Sequence, residues 1–95
     1  MRQYEIMVVM RGDLSDEDRT NLVETIQTWI KNNQGQVAKV DNWGRRRLAY
    51  QIGNQRDGYY TLITADLPAT APGEIERNLR ITESVLRFLV TRVGE

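Results

Sequence analysis

Three consecutive arginines, Arg45, Arg46 and Arg47, stand between Gly44 and the alternating run Leu48-Ala49-Tyr50, with Trp43 just ahead of them. A guanidinium stays charged at physiological pH and presents a planar fork of donors that fits phosphate oxygens, while flanking aromatics stack on bases or on the guanidinium plane itself. The chemistry on offer is non-covalent capture of an anion, and the first reading is RNA. A second reading stays open: native sheets commonly defend an edge strand with solvated charges.

Little else in the chain offers chemistry. It contains no cysteine and no histidine, which excludes disulfides, thiolate metal sites and cysteine nucleophiles. It also removes the usual residues of hydrolytic triads, zinc sites and neutral-pH general bases. No phosphate-binding glycine loop or carboxylate set with metal spacing is present. An enzyme is not expected, nor a cofactor, a metal or a small-molecule substrate. The 13 basic and 13 acidic residues cancel overall, but residues 39–58 hold five basic against two acidic. The rest of the chain is slightly acidic. A neutral chain has a weak field for gathering phosphate indiscriminately, so the local excess matters more than the total.

Ninety-five residues suit a single domain, 1–95, with a compact two-layer core. No apolar run approaches a membrane span, and Met1-Arg2 leads straight into an alternating pattern without a signal-peptide core. The expected location is cytoplasmic, or organellar in mature form, with no membrane partner.

The elements that must position the arginines follow from periodicity. Residues 3–10 alternate as a strand that is apolar on both faces, as an inner strand would be. Ser15 and Asp18 form a capping-box-like start for a helix whose apolar stripe is Leu22, Val23, Ile26, Trp29 and Ile30, with Gly35 as its stop. Trp29 is in phase with the core. Residues 36–52 are extended; Val37 and Val40 are out of phase by one residue, which points to a bulge, and the pattern resets after Gly44. A turn over residues 53–58 leads to a strand over 59–67. Thr70 is a candidate cap for a short helix with Ile75 and Leu79, ended by Ile81, and residues 84–93 return to strand character. Ile6, Val8, Ile26, Leu48, Leu79 and Phe88 are expected to share one core.

This order, β-α-β-β-α-β, is the α+β, ferredoxin-like split βαβ arrangement. Right-handed crossovers then place both helices on one face of a four-stranded antiparallel sheet, with the first and third strands inside. The arginine triplet falls on an edge strand and, by alternation, points to both faces.

The fold alone does not decide function. Tyr59-Tyr60-Thr61-Leu62-Ile63 lacks the basic, glycine-containing context of an RNA-recognition motif, and Arg11-Gly12-Asp13-Leu14 with the acids after it is the wrong charge for an anion-cradling catalytic loop. Taken together, Arg2, Tyr4-Glu5, Gly44, Arg46-Arg47-Leu48-Ala49-Tyr50, Ile52, Gly58-Tyr59-Tyr60 and Leu79-Arg80-Ile81 resemble the bacterial-type small-ribosomal-subunit protein six family over nearly the whole chain. The resemblance implies a structural protein of the ribosome that binds the central domain of small-subunit rRNA as a heterodimer with protein eighteen of that subunit. Many members carry a charged carboxy-terminal extension beyond the point where this sequence stops. On this reading Arg2, Arg45, Arg46, Arg47, Arg80, Arg87 and Arg92 are the candidate RNA-facing residues. Met7, Val9, Leu89 and Val93, on the open sheet face, are the candidate partner-facing ones. The alternative from another class is a ferredoxin-like regulatory module that binds a small metabolite in a glycine-lined pocket at a dimer interface.

Overall fold

The elements run β1 (Arg2–Arg11), α1 (Asp16–Asn32), β2 (Gln36–Ile52), β3 (Gln55–Leu67), α2 (Ala71–Arg80) and β4 (Val85–Arg92), in a computed structural model that describes residues 1–94. The strands pair antiparallel in the order β2-β3-β1-β4. This is the expected ferredoxin-like topology, with β2 and β4 as edges. Both helices lie on one face, α1 over the β2 side and α2 over the β4 side.

Local chemistry sets the helix ends. The Ser15 hydroxyl accepts from the Asp18 N–H at 3.1 Å, and Asp16, Glu17 and Asp18 sit at the positive end of the α1 dipole. At the other end the Gln34 and Gly35 N–H groups return to the carbonyls of Lys31 and Ile30, a Schellman closure. The left-handed residue of that closure is Gln34, at φ 63°, one position before the expected Gly35. Gly35 serves packing instead: a side chain there would meet Leu67 Cδ2 at 2.6 Å. Thr70 precedes α2 without donating or accepting a side-chain cap. Pro72, in the first turn, has no N–H to cap.

The core lies between the helices and the inner strands. Ile6, Val8 and Met10 of β1 and Ile63, Ala65 and Leu67 of β3 meet Ile26 and Ile30 of α1 and Ile75 and Leu79 of α2. Trp29 and Phe88 pack on the rim of this cluster. Leu48 does not join it, and the bulges of β2 explain why. Val40 and Asn42 lie opposite Ile63 and Thr61, but the register then skips Trp43 so that Gly44 lies opposite Tyr60. One inserted residue exchanges the faces of everything after it. Arg45 and Arg47 therefore fall on the helix side, and Gly44 and Arg46 on the open side; the register breaks again between Arg47 and Ile52, and Leu48 is placed on the open side by its approach to Gly58. The phase break at Val37 and Val40 is likewise a bulge, between Val37 and Lys39.

The β2–β3 connection is tighter than the expected six-residue turn. Ile52 pairs with Gln55 around Gly53-Asn54, so β3 begins four residues before Tyr59. Gly53 has φ 57°, and a glycine with positive φ at the first of two loop residues is what a type II′ hairpin demands.

Candidate nucleic-acid interface

The last β1–β3 pair is Arg11 with Gly58, so residues 47–57 of the hairpin run past the sheet as an arm. The arm does not project straight. Val9 on the open face is 3% exposed and Leu48 of the arm 8%. A side chain on Gly58 would stand 2.7 Å from Val9 Cγ1 and 3.4 Å from Leu48 Cδ2. Glycine at 58 thus leaves the space in which Leu48 covers Val9. Further out, the Tyr50 hydroxyl accepts from Arg87 Nη1 at 3.1 Å. Arg87 lies opposite Val9 on β4, at the far edge of the sheet. The arm therefore bends across the open face.

This bend sorts the seven candidate arginines, all of them exposed. Arg46, opposite Gly58, lies on the open face with its Cζ 5.2 Å from the Trp43 ring. Arg87 joins it there through Tyr50. Arg45 is on the helix side, where Nη2 reaches Asp57 Oδ2 at 3.4 Å and Cζ stands 6.0 Å from the Tyr59 ring. Arg47 lies opposite Asp57. Arg80, ending α2, is at the same end of the molecule with its Cζ 5.9 Å from the Phe88 ring. Arg2 and Arg92, opposite Leu67 and Tyr4 respectively, are at the other end of the sheet. The set is not one surface.

Of the four candidate partner residues, Met7 and Leu89 pair directly and continue to Leu62 of β3. They form an apolar row in which Leu89 is 64% exposed. Val93 is displaced from this row, its N–H donating to the Gln3 carbonyl at 2.8 Å. Val9 is covered from within the chain by Leu48, so it does not belong to an open surface. Glu5, Asp41 and Asp66 lie on the same face, away from the arm, through their pairings with Thr64, Leu62 and Gln3. The face is therefore positive at the arm, apolar in the middle and acidic beyond, with Lys39 opposite Thr64 the basic exception.

Sequence reasoning passed over Arg19. Its guanidinium covers the Tyr59 ring at 3.7 Å, held by the Leu14 carbonyl and the Asp16 carboxylate. That contact occupies a ring face that a base would otherwise use. The only sequence signal was a basic residue one turn into α1. Beside it a groove of about 380 Å³ runs between α1 and the β2–β3 pair. Glu24, Gln27 and Asn42 line it and Gly44 is its one glycine, unlike the glycine-lined pocket of the metabolite reading.

Arg11 and Asp13 close the β1–α1 loop on themselves, with Nε to Oδ1 at 3.1 Å and Nη2 to Oδ2 at 2.9 Å. The hydrogen bonds from Arg11 hold the Asp13 carboxyl below its ordinary range, and the same pairing raises Arg11. The loop's arginine is thus engaged by its own aspartate, and its Gly12 N–H donates to Gln55 Oε1 at 3.1 Å. Among the described residues no cluster of acids could hold a metal ion, and no helix is long and apolar enough to cross a membrane.

A sequence profile of the family described as ribosomal protein S6 matches residues 3–92. The chain belongs to that family. It is similar, at 45% identity over 95 residues, to small ribosomal subunit protein bS6 of Brucella canis, covering 100% of itself and 64% of that relative. The Brucella anthropi protein of the same description is also 45% identical, with 63% of its length covered. The chain thus spans less than two thirds of these relatives. Among solved structures it is similar to 30S ribosomal protein S6 from Thermotoga maritima, with a TM-score of 0.91 and 31% identity over 97% of this chain and 87% of that one. The ribosomal protein S6 family consists of structural components, not enzymes.

Proposed function

We propose that this chain is a structural component of the small ribosomal subunit, bound to the central domain of small-subunit rRNA as half of a heterodimer with small-subunit protein eighteen. The observation that carries the RNA half of this reading is the gathering of Arg45, Arg46, Arg47, Arg80 and Arg87 at the arm end, in a chain whose formal charges cancel overall. Arginines at one end of a molecule neutralise adjacent phosphates together, and each contact adds to affinity through counterion release. The partner half is supported by charge and by the apolar row. A chain with 13 bases and 13 acids has too weak a field to bind RNA tightly alone at physiological salt. A basic partner laid over Met7, Leu62 and Leu89, with Glu5, Asp41 and Asp66 beside them, gains both apolar burial and charge complementarity. The place of such a pair is the ribosome, in the cytoplasm of a bacterial cell.

RNA affinity measured for the chain alone, for protein eighteen alone and for the mixture tests both halves. The mixture is expected to bind better than either protein. Equal binding by the mixture and the stronger single protein refutes the heterodimer. Replacing Arg46 or Arg47 by glutamine is expected to lower the slope of log affinity against log salt by somewhat under one per lost phosphate contact, and an unchanged slope and affinity removes that residue from the interface.

A further inference from the structure

Trp43 is the extra residue of the second β2 bulge. Asn42 lies opposite Thr61 and Gly44 opposite Tyr60, which leaves Trp43 between them with no partner in the register. An inserted residue bends the strand and re-aims its side chain, and Gly44, at φ 84°, supplies the left-handed backbone that residues with side chains resist. Two residues are thus committed to presenting a tryptophan on an edge strand. The other tryptophan, Trp29, packs against the core, whereas Trp43 is 39% exposed. Arg46 stands 5.2 Å from its ring, within cation–π range. Among the described ion pairs none includes Arg46, so its charge remains available to a ligand.

We propose that Trp43 is a stacking platform for one unpaired RNA base, with Arg46 holding the adjoining phosphate; this rests on the RNA-binding reading above. The bases of a duplex have both faces stacked already, so an indole at a surface takes only a base that is unpaired or turned out. A protein side chain stacked here would have to bury the neighbouring arginines, a desolvation cost that a phosphate offsets and an apolar partner does not. The chemical class of ligand is therefore a single-stranded nucleotide at a loop, bulge or junction, rather than a helical segment.

Replacing Trp29 by phenylalanine leaves Trp43 as the sole tryptophan, so its emission reports on this site alone. The probe is a central-domain fragment of small-subunit rRNA, titrated into the chain together with the partner proposed above. Trp43 emission is expected to be quenched on binding. Trp43→Ala is expected to weaken affinity about 5- to 150-fold, as for other base–aromatic contacts, with the salt slope unchanged because stacking releases no counterion. Trp43→Phe should retain most of the affinity, and Arg46→Gln should lower the slope. Wild-type affinity in Trp43→Ala overturns the proposal, as does a change in Trp43 emission on adding the partner protein without RNA, which assigns the ring to the protein interface. If the unsubstituted pair fails to bind the RNA at all, the proposed function falls and this inference with it. If the pair binds with a salt slope while Trp43→Ala is neutral, this inference alone falls.

Discussion

Gly58→Ala sets two opposed effects against each other at one position. Alanine restricts the unfolded chain, which by itself stabilises a protein by about 0.4–1 kcal/mol where the native backbone accepts it. Gly58 does not have the positive φ of Gly44 and Gly53, so space alone decides whether that gain is realised. The added carbon would stand 2.7 Å from Val9 Cγ1 and 3.1 Å from the Met10 carbonyl oxygen. Val9 is stiff at χ1, sits on an inner strand and is held between β3 and β4. It cannot turn away cheaply. Overpacking of this kind costs about 1–3 kcal/mol, so Gly58→Ala is expected to destabilise by a net ~1–2 kcal/mol after the entropy gain is subtracted. Equilibrium urea unfolding measures this as a lower midpoint with an unchanged slope. The double variant Gly58→Ala, Val9→Ala isolates the cause. Val9→Ala alone loses two buried methyl groups, about 1.6 kcal/mol, but it also removes the atom that clashes. The double variant is therefore expected to be more stable than the sum of the singles by about 1 kcal/mol, well beyond the ~0.5 kcal/mol scatter of independent sites. A neutral or stabilised Gly58→Ala, or strict additivity in the double variant, would show that Val9 does not fill this space and that the arm does not bend across the open face.

Further outcomes follow from the same geometry. Ile6→Ala and Ile26→Ala, at fully buried sites in the central cluster, should each cost about 2–5 kcal/mol in chemical denaturation, and Phe88→Ala on the rim less than either; losses below about 0.5 kcal/mol at Ile6 and Ile26 would refute the core assignment. Tyr50→Phe removes the hydroxyl that accepts from Arg87 but keeps the ring, and at so exposed a position stability should change by no more than about 0.5 kcal/mol, readable in the same unfolding experiment. Asp13 should titrate below the ordinary 3.8 because Arg11 donates to it. Its small contribution to stability is present above that value and lost as pH falls through the lowered one. Carboxyl-carbon NMR titration of the wild type against Arg11→Gln checks this: in the variant Asp13 should move back up towards 3.8, and an unmoved titration curve would dissociate the shift from the pair.

The parts of this architecture legible in the sequence are those written in local period. The alternation of residues 3–10 and the stripe Leu22, Val23, Ile26, Trp29 and Ile30 each name a buried face without reference to another strand, and both faces are buried as read. Leu48 shows where that reasoning ends. Its alternation with Tyr50 and Ile52 is plain, but which face the set covers depends on how many residues were inserted upstream, and two bulges precede it. An odd or even count of bulges cannot be read from one strand; it is a property of the pairing with β3. The same dependence hid the arm, because the turn signals of residues 53–58 did not reveal that Gly53-Asn54 alone would make the turn. Once the register is known, residues read separately become parts of one device. Gly44 ends the bulge, Leu48 crosses to Val9, Gly58 leaves the room for it, and Tyr50 reaches Arg87. The arginine triplet is divided by the same count, with Arg46 on the open face beside Trp43 and Arg45 on the helix side beside Asp57. On the RNA-binding reading proposed above, an interface that used both faces of this edge strand would suit a ligand that wraps its end rather than one that lies flat on the sheet, and a single-stranded turn of RNA has that shape.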